Sequence, residues 1–376
     1  MTSALSHETF NQTASNSAPA PACQVAKKTL SGGRSEGMEL IEIDNGRLKL
    51  ALLPQRGMGI WKAWLDGTEF GWKSPVCGPV HPALVPISDP SGLGWLEGFD
   101  ELLCRCGLSS NGAPDFDARG MLRYPLHGRI ANLPAETVDI THDAATGAVS
   151  VTGVVRETRF HFQNLRLRST LSLRPGEAMF HIHDEITNLS ARPATVQLMY
   201  HYNLGVPLLG PGASVVAPVN TVVPRNEHAA EGIAHWQSYD EASAAYTEQV
   251  YFADLHADEK GQTLALLKNA AGDLGASVRF NTNQLPYLVV WKNTVDHRDG
   301  YVTGIEPSTN FPNPHTFEAE KGRVVHLAAG ESVKFDLQFA FHAGSAEIDS
   351  ITTEIARLQG DRKPSVLERP HPDWCY

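Results

Sequence analysis

The feature that most constrains the fold is an alternation of leucine with polar residues near the middle of the chain. Within residues 165–173 every second position is leucine, interrupted only by Ser169. Successive side chains of a β-strand point to opposite faces, so this period predicts a strand with one buried face. Pro175-Gly176 then forms a turn signal, and residues 179–186 are expected to return as the neighbouring strand.

The same pattern recurs along most of the chain, whereas helical periodicity is scarce. Further alternating or apolar runs occupy residues 40–43, 48–53, 264–267, 287–291 and 333–341. Residues 346–358 alone carry apolar side chains at helical spacing. We therefore predict an all-β fold, a large antiparallel β-sandwich with few short helices.

The expected domain organisation is one sandwich domain with extensions at both ends. Residues 1–35 contain few large apolar side chains and are expected to form a flexible N-terminal extension. The sandwich domain would cover residues 36–345, followed by a C-terminal helix at 346–359. Residues 360–376 contain three prolines and are expected to form an irregular tail on the surface.

Charge and cysteine content exclude several functional classes. The net charge is −11 without a long basic run, which argues against nucleic-acid binding. No apolar run reaches the ~18 residues expected of a membrane span, and no signal-peptide core is present, so no membrane association is expected. Five cysteines without a Cys-x-x-Cys pair fit neither a disulfide framework nor a zinc ribbon. A reducing cytoplasm is the expected location.

Three segments place ionisable side chains among glycines, prolines and aromatic residues, where strands end and clefts form. These segments contain His127, His201 and Glu306. Each residue has a structural explanation of its own: His127 could be a turn residue, His201 could lie in a buried aromatic strand, and Glu306 could end a strand before Pro307.

Together the three segments resemble those of the aldose 1-epimerases, or galactose mutarotases. Tyr200-His201-Tyr202-Asn203-Leu204 is similar to the family segment with the catalytic histidine, and Leu126-His127-Gly128 to its Leu-His-Gly motif. Gly304-Ile305-Glu306-Pro307 resembles the segment with the catalytic glutamate. The resemblance covers roughly residues 37–342 and is greatest to a poorly characterised aldose-1-epimerase-like branch. The run from His127 to Pro134 also resembles the hexose-phosphate 1-epimerases.

This resemblance implies an enzyme that interconverts sugar anomers by acid–base ring opening and reclosure. Glu306 would be the base and His201 the acid, and neither a metal nor a cofactor would be required. The substrate would be a sugar or sugar derivative. The residues expected to bind it are His127, Arg129, Arg105, Asn203, Trp291 and Lys292. The family's upstream Asn-Arg pair has no clear match, so Arg105 and Arg129 both remain candidates for the substrate-binding arginine.

Several alternatives are compatible with the sequence. His181-Ile182-His183 places two imidazoles on one strand face, as in a metal-dependent cupin-type sugar isomerase. A non-catalytic sugar-binding module would keep the fold without the chemistry. A glycoside hydrolase would pair Asp184 or Glu185 with Glu306. The sugar and the oligomeric state are left open, although an edge strand could support a homodimer.

Overall fold

The computed structural model describes residues 22–376, which form two large β-sheets, a two-stranded ribbon and three α-helices. In chain order the strands are β1 (Gln24–Thr29), β2 (Glu39–Asp44), β3 (Leu48–Leu53), β4 (Gly59–Leu65), β5 (Thr68–Phe70), β6 (Leu103–Leu108), β7 (Asp115–Phe116), β8 (Leu122–Tyr124), β9 (Ala135–His142), β10 (Val149–Arg159), β11 (Gln163–Leu173), β12 (Met179–Asn188), β13 (Ala194–Leu204), β14 (Ser214–Val216), β15 (Val219–Pro224), β16 (Gln249–Leu255), β17 (Gln262–Lys268), β18 (Leu274–Asn281), β19 (Tyr287–Asn293), β20 (Val302–Ser308), β21 (Val325–Leu327), β22 (Ser332–Ala343) and β23 (Ser365–Val366). The helices are α1 (Glu227–Glu231), α2 (His315–Glu320) and α3 (Ser345–Gln359).

The two large sheets are almost entirely antiparallel. The first, here the large sheet, has 13 strands in the order β1-β2-β3-β4-β6-β13-β20-β19-β16-β15-β23, with β5 beside β4 and β21 beside β13. The second, the small sheet, has eight strands in the order β14-β17-β18-β22-β12-β11-β10-β9. Strands β7 and β8 form the ribbon, and β15 pairs with β23 in parallel. The prediction of a large antiparallel β-sandwich with few short helices is confirmed.

The main hydrophobic core lies between the two sheets. In β11 the leucines that alternate in the sequence are all buried, while Arg166 and Arg168 are not. Buried side chains of the large sheet, such as Leu50 and Tyr202, belong to the same apolar cluster. The two-residue period of the sequence therefore selects which face of each strand packs inward.

The centre of the large sheet is covered on its second face as well. From Val196 to Leu204 every residue of β13 is buried. Its even-numbered residues, such as Leu198 and Tyr202, pack between the sheets, while Met199 belongs to a second apolar cluster with Trp95 and Phe311. We call this second side the outer face of the large sheet. Because both faces of β13 are covered, its odd-numbered residues, which include His201, are buried on the outer face.

Both chain ends differ from the sequence-based expectation. Residues 1–21 of the expected flexible extension lie outside the described residues, but β1, at Gln24–Thr29, pairs with β2 at the edge of the large sheet. The C-terminal tail is more than surface chain, since Trp374 and Cys375 pack against the apolar cluster of the outer face. The predicted helix at 346–359 corresponds to α3, which packs Ile348 and Ile355 on the small sheet. Among residues 22–376, no helix combines the length and apolarity needed to cross a membrane.

Candidate functional site

Two neighbouring strands bring His201 and Glu306 together on the outer face of the large sheet. Strands β13 and β20 pair antiparallel, with Tyr202 opposite Ile305, so the residues flanking that pair share the outer face. His201 Nε2 lies 3.2 Å from Glu306 Oε1. Both side chains are almost completely buried, with 4% and 2% of the residue exposed. The structure therefore joins two residues that are far apart in the chain.

Asn203 fixes the orientation of the His201 imidazole. The Asn203 side-chain nitrogen donates to the backbone oxygens of Glu101 and His201, so its oxygen is free to accept. That oxygen lies 2.6 Å from His201 Nδ1. This hydrogen-bond network assigns the proton to Nδ1 and leaves the Nε2 lone pair directed at Glu306. Asn203 is itself fully buried, so it positions His201 rather than contacting a ligand.

The Glu306 carboxylate occupies space that is open only because residue 304 is glycine. A Cβ at position 304 would lie 2.0 Å from Glu306 Oε1 and 3.0 Å from its carboxyl carbon. The carboxylate thus folds back over the glycine two residues earlier on the same strand face. Within the described residues, Oε1 has no well-aligned hydrogen-bond partner. A buried polar atom of this kind is uncommon and is available to a ligand.

Burial shifts the two ionisable groups in opposite directions. Loss of water raises the pKa of the Glu306 carboxyl well above 4.5, with a further upward contribution from Glu248 and an opposing one from Arg225. Loss of water lowers the pKa of the His201 imidazole well below 6.5, and His127 lowers it further. Both shifts favour the uncharged forms, in which Glu306 is protonated and His201 carries its single proton on Nδ1.

Aromatic rings enclose the pair. The His201 ring centroid lies 5.2 Å from that of Phe99, 5.4 Å from that of Trp291 and 6.1 Å from that of Trp95. Trp291 is half-buried and belongs to the outer-face cluster. Such a lining suits a ligand with apolar C–H faces and also accounts for the desolvation of both ionisable groups.

His127 packs against His201 from a tight turn. Its ring centroid is 5.3 Å from that of His201 and 4.6 Å from that of Trp95. His127 adopts a positive φ of 57°, and a Cβ at Gly128 would lie 2.1 Å from a backbone oxygen, which explains the glycine. His127 Nδ1 is 2.9 Å from the backbone oxygen of Asn111, and burial lowers the His127 pKa to about 4. The ring is therefore neutral near pH 7, with Nε2 free to accept a hydrogen bond.

Arg225 and Glu248 form a charged rim that sequence reasoning missed. Glu248 accepts from Trp291 Nε1 at 2.7 Å and from Arg225 at 3.0 Å. Both charges are near enough to influence the pKa of Glu306 and of His127. Neither residue lies in a recognisable motif, and only the pairing of β16 with β19 brings Glu248 beside Trp291, so the sequence contains no signal for this rim.

The C-terminal tail contributes to the same face. The Trp374 ring lies 4.6 Å from that of Phe311 and 6.2 Å from that of Tyr287. Cys375 Sγ contacts the backbone oxygen of Pro224, which immediately precedes Arg225. The tail thus supports the rim from the outside.

Arg105 does not lie beside His201 and Glu306, and its assignment as a substrate-binding residue is corrected. Its side chain points between the sheets, where it pairs with Asp184 and donates to Ser169 and to the backbone oxygen of Met58. It is 1% exposed. Cys104 and Cys106 project to the outer face of β6, so alternation along the strand sends Arg105 inward. Its role is to stabilise the contact between the two sheets.

Lys292 and Arg129 also lie elsewhere. Lys292 Nζ donates to the backbone oxygens of His235 and Ser238, and its neighbours Val290 and Leu288 face the core between the sheets. Burial lowers the Lys292 pKa to about 8. Arg129 lines a separate cleft that contains neither His201 nor Glu306. Of the eight residues predicted for the site, His201, Glu306, His127 and Trp291 lie in one cluster on the outer face, and Asn203 contacts His201 beside it.

The alternative sites are not assembled. His181 and His183 lie exposed on the small sheet, and His183 pairs with Asp336 at 2.6 Å. Asp184 is engaged by Arg105, so it does not pair with Glu306 as a glycoside hydrolase would require. Within residues 22–376 no three His, Cys, Asp or Glu side chains are grouped as metal ligands would be. Cys104 and Cys106 are buried, and burial raises the pKa of both thiols.

The fold and the outer-face site define the class of protein: a galactose mutarotase-like β-sandwich related to the aldose 1-epimerases. A crystal structure from Klebsiella pneumoniae, described as a "putative aldose 1-epimerase", is 38% identical with a TM-score of 0.90, over 93% of this chain and 91% of that one. A galactose mutarotase-like protein from Clostridium acetobutylicum shares the fold at 14% identity and a TM-score of 0.57, over 86% and 99% of the two chains. Another from Lactobacillus casei does so at 16% identity and a TM-score of 0.53, over 81% and 100%.

The family assignment is more specific than the fold. Residues 35–341 match the family described as "Domain of unknown function (DUF4432)", and the chain belongs to that family. A search of curated proteins found no match.

Proposed function

We propose that this protein is a carbohydrate-binding enzyme of the aldose 1-epimerase type, which interconverts the anomers of a sugar. The observation that carries the proposal is the 3.2 Å contact between His201 Nε2 and Glu306 Oε1 among the rings of Phe99, Trp95 and Trp291. The similarity to the Klebsiella protein supports the same reaction class.

The proposed reaction needs one proton acceptor and one proton donor beside the anomeric carbon. Glu306 removes the proton of the C1 hydroxyl while His201 delivers a proton to the ring oxygen, and the C1–O5 bond breaks to give the open-chain aldehyde. After rotation about the C1–C2 bond, the C5 hydroxyl attacks the other face of the carbonyl and both proton transfers reverse. O1 and O5 are bonded to the same carbon, C1. Two catalytic groups in contact with each other can therefore exchange protons with both oxygens.

The protonation states of the pair fit this cycle. Asn203 keeps the proton on His201 Nδ1, and the proposed resting state places a second proton on the Glu306 carboxyl, whose Oε1 lies 3.2 Å from His201 Nε2. Transfer of that proton to Nε2 generates the carboxylate base and the imidazolium acid together. The reaction consumes no net proton, and each positioned group is expected to contribute ~10²–10⁴-fold.

The remaining pocket residues are proposed to bind the sugar. The Trp291 ring would stack on the C–H face of the pyranose, and His127 Nε2 would accept a hydrogen bond from a ring hydroxyl. Arg225 at the rim takes the place of the arginine that the sequence failed to locate.

The five cysteines are free thiols, which supports a reducing compartment such as the cytoplasm.

Polarimetry tests the proposal. Freshly dissolved α-anomers of aldoses, sugar acids and sugar phosphates should equilibrate faster with the protein than without it. Glu306→Gln and His201→Asn should each remove most of the acceleration. Glu185→Gln and His183→Asn, which make the same chemical changes on the small sheet, should retain it.

Two results would argue against the enzyme. Full rates in both site variants would refute the assigned roles. Sugar binding without any acceleration would instead indicate a non-catalytic sugar-binding module.

A further inference from the structure

A second cleft at another part of the molecule is rich in arginine. It has a volume of about 1300 Å³ and is formed by the chain around β8, the tip of the β10–β11 hairpin, the start of β13 and β21. Its lining includes five arginines, which are Arg123, Arg129, Arg156, Arg159 and Arg192. Three separate segments of the chain therefore contribute positive charge to one space.

These charges are largely uncompensated. Arg156 pairs with Glu136 at 3.0 Å, but within residues 22–376 Arg123, Arg129 and Arg159 form no ion pair with a carboxylate. The one acidic residue in the lining, Asp117, accepts hydrogen bonds from the backbone of its own loop. Unpaired guanidinium groups around a concave space attract anions, and they bind carboxylate, sulfate or phosphate through two hydrogen bonds.

The hairpin tip adds exposed aromatic surface beside these charges. Phe160 and Phe162 are 85% and 70% exposed, although large apolar side chains are normally buried. The Arg159 guanidinium lies 4.2 Å from the Phe162 ring centroid, which holds both groups at the mouth of the cleft. An aromatic face next to a guanidinium matches a sugar ring that carries an acidic substituent.

The dimensions and the overall charge indicate a short ligand. The volume exceeds the ~300–1,000 Å³ of sites for single small molecules, so two or three sugar rings would fit. The protein has a net charge of −11, so a long polyanion extending beyond the cleft would meet a repulsive surface. A short acidic chain can remain within the basic region.

The cleft is separate from the His201–Glu306 pocket. Ala194 lines the cleft at the start of β13, and His201 lies seven residues further along the same strand. At ~3.3 Å per residue this is a separation of about 23 Å along the strand. We propose that the cleft formed by Arg123, Arg129 and Arg159, with Phe160 and Phe162 at its mouth, binds a short acidic oligosaccharide.

Isothermal titration calorimetry of the full chain with trigalacturonate tests this inference, with neutral maltotriose for comparison. Trigalacturonate should bind, with an affinity that falls as salt is added, and maltotriose should not. The double variant Arg123→Gln/Arg159→Gln should bind at least about tenfold more weakly, because two charge-assisted contacts are lost. The matched double variant Arg168→Gln/Arg174→Gln, which removes two exposed charges elsewhere, should bind as wild type does.

Two further variants distinguish this cleft from the His201–Glu306 site. Glu306→Gln should leave trigalacturonate binding unchanged, so failure of the proposed enzyme activity would not affect the result. Phe162→Ser, a change at an exposed position, should weaken binding even if the double arginine variant folds poorly. The inference is overturned by absent trigalacturonate binding, by equal binding of maltotriose, by an unchanged affinity in the folded double variant, or by tighter binding of a dT12 oligonucleotide.

Discussion

Gly304→Ala is the most informative single substitution, because it displaces the Glu306 carboxylate without removing any functional group. The new Cβ would lie 2.0 Å from Glu306 Oε1, whereas ordinary contact begins at 3.4 Å, so the carboxylate must move by about 1.4 Å. The position lies within β20 and lacks a positive φ, so alanine is compatible with the backbone.

A displacement of this size should be costly for catalysis and mild for folding. Misplacement of a catalytic group by ~1 Å can reduce the rate about 10²-fold. We therefore expect kcat for anomer interconversion to fall about 10²-fold, with little change in the unfolding temperature and with Glu306 still present. Polarimetry at saturating sugar would measure kcat, and circular dichroism would confirm the fold.

The control for this experiment is Gly210→Ala. No heavy atom lies within 4 Å of the position of a Cβ added at Gly210, so the Gly210→Ala variant should have the wild-type kcat. A Gly304→Ala variant that is folded and turns over sugar at the wild-type rate would refute the inferred position of the carboxylate.

Three further substitutions test other parts of the account. Asn203→Ala should lower kcat about fivefold through loss of a hydrogen bond worth about 1 kcal/mol. The ¹⁵N shifts of His201 in this variant should reveal a mixture of tautomers. An unchanged spectrum would contradict the orienting role of Asn203. Glu306→Gln should increasingly stabilise the protein as pH rises above 4.5. Burial raises the pKa of Glu306 in the folded state, so the stability that the protonated Glu306 contributes is present below pH 4.5 and is lost as pH rises through the folded pKa. Thermal melts that show a constant difference from wild type at all pH values would oppose this. Arg105→Met should cost about 3–5 kcal/mol in urea unfolding, because it leaves the buried Asp184 carboxylate unpaired, and a variant of normal stability that only raises KM would restore Arg105 to the substrate site.

The fold was predictable because it depends on a local pattern. The leucine alternation of β11 specifies a one-sided strand regardless of which strand it pairs with, and the structure buries those leucines. β1 was missed because its residues, 24–29, include two adjacent lysines and are mostly exposed at the sheet edge, where no apolar pattern is required.

The site was only partly predictable because pocket residues are selected by strand pairing and by side-chain direction. His201 and Glu306 could be identified because each lies in a recognisable segment. Arg105 and Lys292 lie next to residues of the outer face, yet alternation along their strands turns both toward the core between the sheets. The rim residues Arg225 and Glu248 depend on the pairing of β16 with β19, a contact between distant parts of the chain.

The central claim is that His201 and Glu306 act on one sugar as a single proton-transfer unit. Saturation-transfer NMR of an aldose at equilibrium measures the exchange rate between its anomers with the wild type, His201→Asn, Glu306→Gln and the double variant. Residues that act as a unit are strongly non-additive, so the double variant should exchange no more slowly than the slower single variant. Losses that multiply in the double variant, or a wild type that leaves the anomer exchange at its uncatalysed rate, would contradict the account.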